Sequence, residues 1–480
     1  MIPEHRLAGL CGAVGLVCIV ATGCAPLASP PSSNTVIDQQ TAPAWNVSLP
    51  HAGTTANLER WWQDLGDPLL ADLIDAAQRV SPDVASAASR ITQARSALGN
   101  ADAANRPSLT GSLSAQRGVT STSPIVGTAL QSSLDASWEI DLFGANRSAA
   151  SAARSRLLGS GAQWHAARVS VAADTANLYF SWRTCSQLLA VAQADAASRQ
   201  ETARLSDLSA KAGFTAPAVA ALAHASAAEG RSRLTQQSSQ CDSTIKALVA
   251  LTAMPEPMLR KRLDGSGEIG HAANGQSLLM PSVANVPADV LSQRPDLYAA
   301  DREVAAASAD LGSAQAQRYP RLMLAGQVGT LSFSSQGTTT DLSTWSVGPV
   351  TLSLPLLDGG RRAANVQAAQ ARYEEAAALY RAKARQAVRE VEDALLNLAG
   401  TEAQKADAQS AAAGYGTALE ATRARYQAGA ASLPELEDAR RTALAAQTNL
   451  LQLDLQRSQA WVALYRALGG GWNVNTSATH

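Results

Sequence analysis

The sequence predicts a mainly helical chain, duplicated in tandem, in which each copy inserts one β-hairpin between long helices. Three observations carry this. Residues 81 to 109 recur 213 positions later without gaps, matching at Pro82/Pro295, Asp83/Asp296, Leu98/Leu311, Gly99/Gly312, Pro107/Pro320 and Leu109/Leu322. The copies stay in step further on, where DLFGANRSAA (141–150) meets LLDGGRRAAN (356–365) and Lys211-Ala212-Gly213 meets Gln427-Ala428-Gly429. A repeat of about two hundred residues is far longer than a solenoid unit, so a whole structural unit was duplicated. Second, each copy breaks its helical pattern with two stretches of strict alternation, the signature of strands. Third, Tyr373, Tyr380, Ala387 and Ala394 fall seven apart, as do Ala377, Ala384, Val391 and Leu398, a heptad that predicts close coiled-coil packing on alanine.

The elements follow in order. Arg6 and the apolar run Leu7 to Val20 lead to Ala21-Thr22-Gly23-Cys24, which reads as a signal peptide over 1–23 and resembles a bacterial lipobox, with Cys24 as the lipidated residue. Plain cleavage after a small residue is the alternative. Ala25, in place of an aspartate, implies sorting onward to the outer membrane. Residues 24–60, rich in Pro, Ser and Thr, form an extended tether.

The first repeat spans 61–263. A helix is predicted from Asp83 to Asn105, then a strand with Leu109, Gly111, Leu113 and Ala115 on one face. A Gly/Ser/Thr/Pro loop over 118–128 leads to a second strand with Leu130, Leu134, Ala136, Trp138, Ile140 and Leu142 aligned. Helical pattern then runs from Gly144 to Lys211, turns at Gly213, and resumes from Pro217 to Leu251. A Gly/Asn/Ser-rich linker occupies 264–290. The second repeat, 291–471, has a helix from Asp296 to Arg318, a strand from Leu322, a loop, a strand to Leu356, and a helix from Gly360 to Gln427 that turns at Gly429. Residues 472–480 are a short tail.

Lengths and composition narrow the function. At ~1.5 Å per residue the segment 144–211 is about 100 Å long, and the two shorter helices of its copy nearly match it end to end. Four strands per chain cannot close a membrane barrel, since the smallest have about eight, so the chain must oligomerise. The net charge of −1 and the absence of a basic run exclude nucleic acid as a partner. Six scattered histidines, with no HExxH or GxSxG, point away from an enzyme, a metal site or any cofactor beyond the lipid on Cys24.

Trp61-Trp62-Gln-Asp-Leu-Gly-Asp67-Pro68, WEIDLFG (138–144), QRPDL (293–297), LDGGR (357–361) and LGGGW (468–472) resemble the outer-membrane factors of bacterial tripartite efflux systems, in the lipoprotein branch of the TolC-like channels. The resemblance covers nearly the whole mature chain. It implies a homotrimer with a twelve-stranded barrel in the outer-membrane lipid and a periplasmic helical tunnel. It also implies two partners, a periplasmic membrane-fusion adaptor and an inner-membrane RND-type transporter, with the chain as their passive exit duct for drugs. Export of metal or protein by the same fold, or a soluble coiled-coil adaptor, are the rival expectations.

The resemblance also assigns an aperture at the hairpin tips, where related channels close by acid rings and a tyrosine network. Tyr426 corresponds to the gate tyrosine, Asp438 to a gate acid and Glu435 to an acid found in some members. The arginine that usually follows the tyrosine is Gln427 here. Read from the residues alone, Ser432-Leu-Pro-Glu435 is a capping box, and Asp438 could equally sit on a solvated helix face. Acid rings at a constriction would favour cations.

Cys185 and Cys241 are equidistant from Gly213, and therefore stand at one height on opposite arms of a helical hairpin, where a disulfide is expected in an oxidising compartment. Two buried thiols are the alternative. Trp138 suits either an interfacial aromatic belt or packing at the barrel base, while Trp61 and Trp62 would anchor the N-terminal segment on the helices.

Overall fold

The computed structural model describes residues 61–120, 123–265 and 293–472. The signal, Cys24, the tether, most of the linker and the tail beyond Trp472 lie outside the described residues.

In chain order the elements are α1 (Trp61–Asp64), α2 (Pro68–Val80), α3 (Pro82–Ala103), β1 (Ser108–Thr120), β2 (Ser123–Ile140), α4 (Ala145–Lys211), α5 (Pro217–Thr252), α6 (Glu256–Gly265), α7 (Pro295–Ala316), β3 (Arg321–Ser335), β4 (Thr338–Ser353), α8 (Arg361–Gln427) and α9 (Leu433–Ala467), closed by a 3-10 turn at Gly469–Gly471. The two long helices, α4 and α8, have 67 residues each, about 100 Å of rod. Helices α3 and α5 both lie against α4, while α7 and α9 both lie against α8, so one long rod faces two shorter ones in each copy.

The heptad read in the sequence is the seam of α8. Tyr380, Ala384, Ala387, Val391, Ala394 and Leu398 are all buried, at alternating spacings of four and three, and Tyr380, Ala384 and Ala387 pack with Leu297 of α7. The largest core crosses the rods near their middles. Here Trp61, Trp62, Leu70 and Leu73 of the N-terminal helices meet Ala172, Ala176 and Tyr179 of α4, Leu395 and Leu398 of α8, and Trp461 and Tyr465 of α9. Trp61 stacks on Tyr465 at 5.0 Å between centroids, and Trp62 meets the same ring edge-on at 4.7 Å. The tryptophan pair thus fastens the entry of the chain to its last helix.

The strands form one antiparallel sheet in the order β1-β2-β3-β4. The two hairpins, one from each copy, pair through β2 and β3, from Thr128↔Ser334 to Ile140↔Leu322. Within the chain, β1 and β4 are paired on one side only.

Here the structure corrects the reading. The stretch expected as a loop at 118–128 is mostly strand, with pairing continued through Gly118↔Gly127 to Thr120↔Ser123. The second copy likewise pairs out to Ser335↔Thr338, leaving Gln336-Gly337 as the turn. Gly, Ser and Thr signal a loop when local propensity is all one has, whereas a ladder of cross-strand hydrogen bonds overrides propensity. Leu142 falls beyond β2, and helix α6 occupies residues expected to lead into the linker.

Register divides the sheet into two faces. One carries Ser108, Thr110, Ser112, Gln131, Asp135 and Gln327, and hydroxyl pairs such as Ser112···Ser133 at 2.8 Å. The other carries Leu109, Leu113, Leu134, Val328, Trp345, Val347, Val350 and Leu352, with Trp345 80% and Val347 84% exposed. Trp138 stands on this apolar face at the helical end of the sheet, its indole N–H donating to the Asn105 carbonyl at 3.2 Å. No described helix is long and apolar enough to cross a membrane.

Candidate functional site at the tips of the helical hairpins

Both hairpins turn on the same device. At the end of α4, Gly213 (φ +79°) allows the Phe214 N–H to donate to the Ser209 carbonyl at 3.0 Å and its own N–H to donate to Ala210 at 3.1 Å. At the end of α8, Gly429 (φ +73°) repeats the pattern with Ala430 to Arg425 and Gly429 to Tyr426. These paired bonds are Schellman motifs, which need a left-handed residue and so select glycine. The two tips differ in what they expose: Phe214 is 87% accessible, and the second tip has Ala430 in its place.

Tyr426 is half-buried against Leu433, Leu436 and the alanines Ala203, Ala223 and Ala227, with its hydroxyl 3.1 Å from Ser206 Oγ on α4. It therefore links the second hairpin to the first. Glu435 is engaged with its own helix start: its carboxylate accepts from the Ser432 N–H at 2.6 Å, and the Glu435 N–H donates to Ser432 Oγ at 3.4 Å. Those bonds from Ser432 hold the Glu435 carboxyl below the usual glutamate range. Asp438 is exposed and paired along its helix with Arg441.

Between these residues lies a buried polar cluster that the sequence reading did not assign. Glu437 accepts from Arg199 Nη1 at 2.7 Å, from Ser226 Oγ at 2.8 Å and from Arg440 Nη1 at 2.6 Å. Arg199 also bonds Asp195 at 2.9 Å, and Arg440 reaches Ser198 Oγ at 3.0 Å and Thr202 Oγ1 at 2.7 Å. Both arginines are only 4% exposed. Gly230 makes the room, since a Cβ there would stand 2.9 Å from Arg199 Cδ. The cluster joins α4 and α5 of one copy to α9 of the other just above the tip. A seam signal was present in the sequence: Ala196, Arg199, Ala203 and Ser206 on α4, and Leu433, Leu436, Arg440 and Ala443 on α9, are spaced as heptad positions with one arginine each.

Further up the first hairpin, Cys185 of α4 and Cys241 of α5 are joined by a disulfide, their Cα atoms 5.5 Å apart. Among the described residues no group of three His, Cys, Asp or Glu side chains could hold a metal ion.

The profile of the Outer membrane efflux protein family matches residues 73–254 and 286–470. The outer membrane protein OprJ of Pseudomonas aeruginosa is 31% identical over 342 residues, 71% of this chain and 70% of that protein. The solvent efflux pump outer membrane protein SrpC of Pseudomonas putida is 29% identical, covering 85% of this chain and 87% of that one. Among solved structures, the outer membrane protein VceC from Vibrio cholerae superposes with a TM-score of 0.73 at 25% identity, covering 88% of this chain and 100% of that one. The CmeC outer membrane channel of Campylobacter jejuni gives a TM-score of 0.77 at 22% identity, covering 91% of this chain and 97% of that one.

Proposed function

Because this chain belongs to the outer membrane efflux protein family, whose members form trimeric channels working with an adaptor and an inner-membrane transporter, we propose that three copies assemble into a single duct. In it, twelve strands form one barrel through the outer membrane and the long helices form a periplasmic tunnel. The observation that carries this is the sheet: one face apolar and exposed, one face polar, and an unpaired edge on each side. Lipid tolerates no open edge, so the edges of β1 and β4 must meet those of sister chains, and closed threefold symmetry satisfies them without remainder.

On this reading the apolar face meets lipid and the hydroxyl-rich face lines a water-filled bore. The duct recognises little, because selection belongs to the energised pump below. Cys24 carries the lipid anchor. The tip residues Tyr426, Glu435 and Asp438 surround the periplasmic aperture, with Asp438 the carboxylate freest to face the pore. Phe214, projecting at the tip, is the apolar contact for the adaptor.

Purification in mild detergent tests the assembly directly: the expected product is a trimer that resists SDS until heated and is rich in both helix and sheet. A monomer without sheet overturns the proposal. Deleting the protein in a pump-dependent strain is expected to raise sensitivity to several unrelated drugs, and fatty-acid labelling is expected to vanish in Cys24→Ala. A second reading, export of metal ions, is favoured by one relative, the cation efflux system protein CusC of Escherichia coli, 26% identical over 86% of this chain. Raised sensitivity to metal cations alone would support it over drug export.

A further inference from the structure

The contrast between the two faces of the sheet changes along its length. Near the helices the face assigned to the bore is polar, with Ser112, Ser133, Asp135 and Gln327, and its reverse is aliphatic. Near the hairpin turns apolar side chains enter the bore face and hydroxyls enter the outer one. The bore face now carries Leu331 opposite Leu342, and Phe333 opposite Ala129, beside Gln131 and Thr340, while the outer face mixes Thr128, Ser132, Thr330, Ser332, Asp341 and Ser343 with Val126 and Leu130. Ser132 and Thr330 there share a hydrogen bond of 3.0 Å, and Arg117 donates to Thr128 at 3.4 Å.

Hydroxyls and a carboxylate on the outer face bring this end of the sheet to the margin of the hydrocarbon, and the cross-strand register sets Leu331, Phe333 and Leu342 inward. They are also held in place. The Phe333 ring lies over Gly127, where an added Cβ would stand 2.3 Å from Cζ, and Leu342 beside it remains 54% exposed in the single chain. Apolar surface facing water is unfavourable by roughly 25 cal/mol per Å², and copies brought together across an axis recover part of that.

Twelve strands about 4.8 Å apart and tilted about 40° enclose a backbone diameter of about 24 Å. Side-chain layers of about 5 Å leave a bore of about 14 Å, and larger rings take it lower. We propose that Leu331, Phe333 and Leu342 of the three chains form an apolar collar just inside the outer mouth, which hinders bulky hydrophilic solutes and admits compounds with apolar surface. This rests on the trimeric duct proposed above. The collar would act by its width and its apolar surface, a permeability filter that requires no moving part.

The test uses the full-length lipoprotein in intact cells. A single cysteine is placed at Gln327, on the bore face below the collar, or at Ser332, on the outer face at collar height. Both are labelled from outside with a bulky polyethylene-glycol maleimide and with a small hydrophilic maleimide. The bulky reagent is expected to react about tenfold more slowly at Q327C than at S332C, and Phe333→Ser with Leu342→Ser is expected to remove most of that difference without changing S332C. Phe333→Leu, which keeps apolar bulk, should leave it in place. Equal rates at Q327C with and without the collar, in protein that runs as an SDS-resistant trimer, overturn the collar alone. Failure to find the trimer removes the duct and the collar together.

Discussion

Glu437 makes more interhelical bonds than any acid assigned to the aperture from the sequence. Two buried guanidiniums and a serine converge on it, so Glu437→Leu leaves Arg199 and Arg440 short of a counter-charge in a site with little water. Removing one partner of a buried pair costs about 3 kcal/mol, and the expected result is a lower melting temperature by circular dichroism together with a larger single-channel conductance as the hairpins part. Asp438 behaves oppositely on the proposed reading: exposed and paired only along its own helix, it can be neutralised by Asp438→Asn with little loss of stability but with a lower cation-over-anion permeability ratio. Glu435 serves its helix. Its folded pKa is depressed by the Ser432 bonds, so its contribution is present above the ordinary glutamate range and is lost as pH falls through the lowered value. Wild type and Glu435→Ala should therefore differ in thermal stability near neutral pH and converge in strong acid.

At the scale of elements, the alanine seam of α8 sets how closely the rods approach. Ala384 and Ala387 have no accessible surface, so Ala384→Leu must push α7 and α8 apart, at a cost of about 1–3 kcal/mol, read as a fall in the melting temperature. The first hairpin has an additional tie in Cys185–Cys241, and Cys241→Ser is expected to cost about 2–4 kcal/mol by freeing the unfolded chain. Thiol labelling of non-reduced, unfolded wild type checks the bond directly, since neither cysteine should react. The heptad, the tip turns and the N-cap at Ser432 were all legible in the sequence because each depends on residues close along the chain. The strand ends were not, because Ser and Thr at 118–128 and 334–344 become strand only through partners on the neighbouring strand.

For the whole molecule, the telling quantity is what a single chain leaves unfinished. Its exposed aliphatic face cannot persist in water, nor its two open sheet edges in lipid, which ties folding of the sheet to assembly. Trimer yield should consequently depend on protein concentration during refolding into micelles, and helix should form before the SDS-resistant species does. On the proposed reading Phe214 belongs to this scale as well, as a contact outside the chain: Phe214→Asp is expected to leave the trimer intact while reducing co-purification of the adaptor severalfold, the loss typical of an exposed apolar anchor.

Duplication, the order of the long helices and strand hairpins, the rod lengths, the tip glycines and the facing cysteines follow from the sequence by itself, because periodicity, spacing and local turn chemistry are properties of neighbouring residues. Tertiary structure alone decided that Arg199, Glu437, Arg440 and Ser226 share one site, that Trp61 and Trp62 close on Tyr465, and that Leu331 stands opposite Leu342. Residues up to 242 positions apart meet in that cluster, and only the packed helices determine which polar side chains lose their water together.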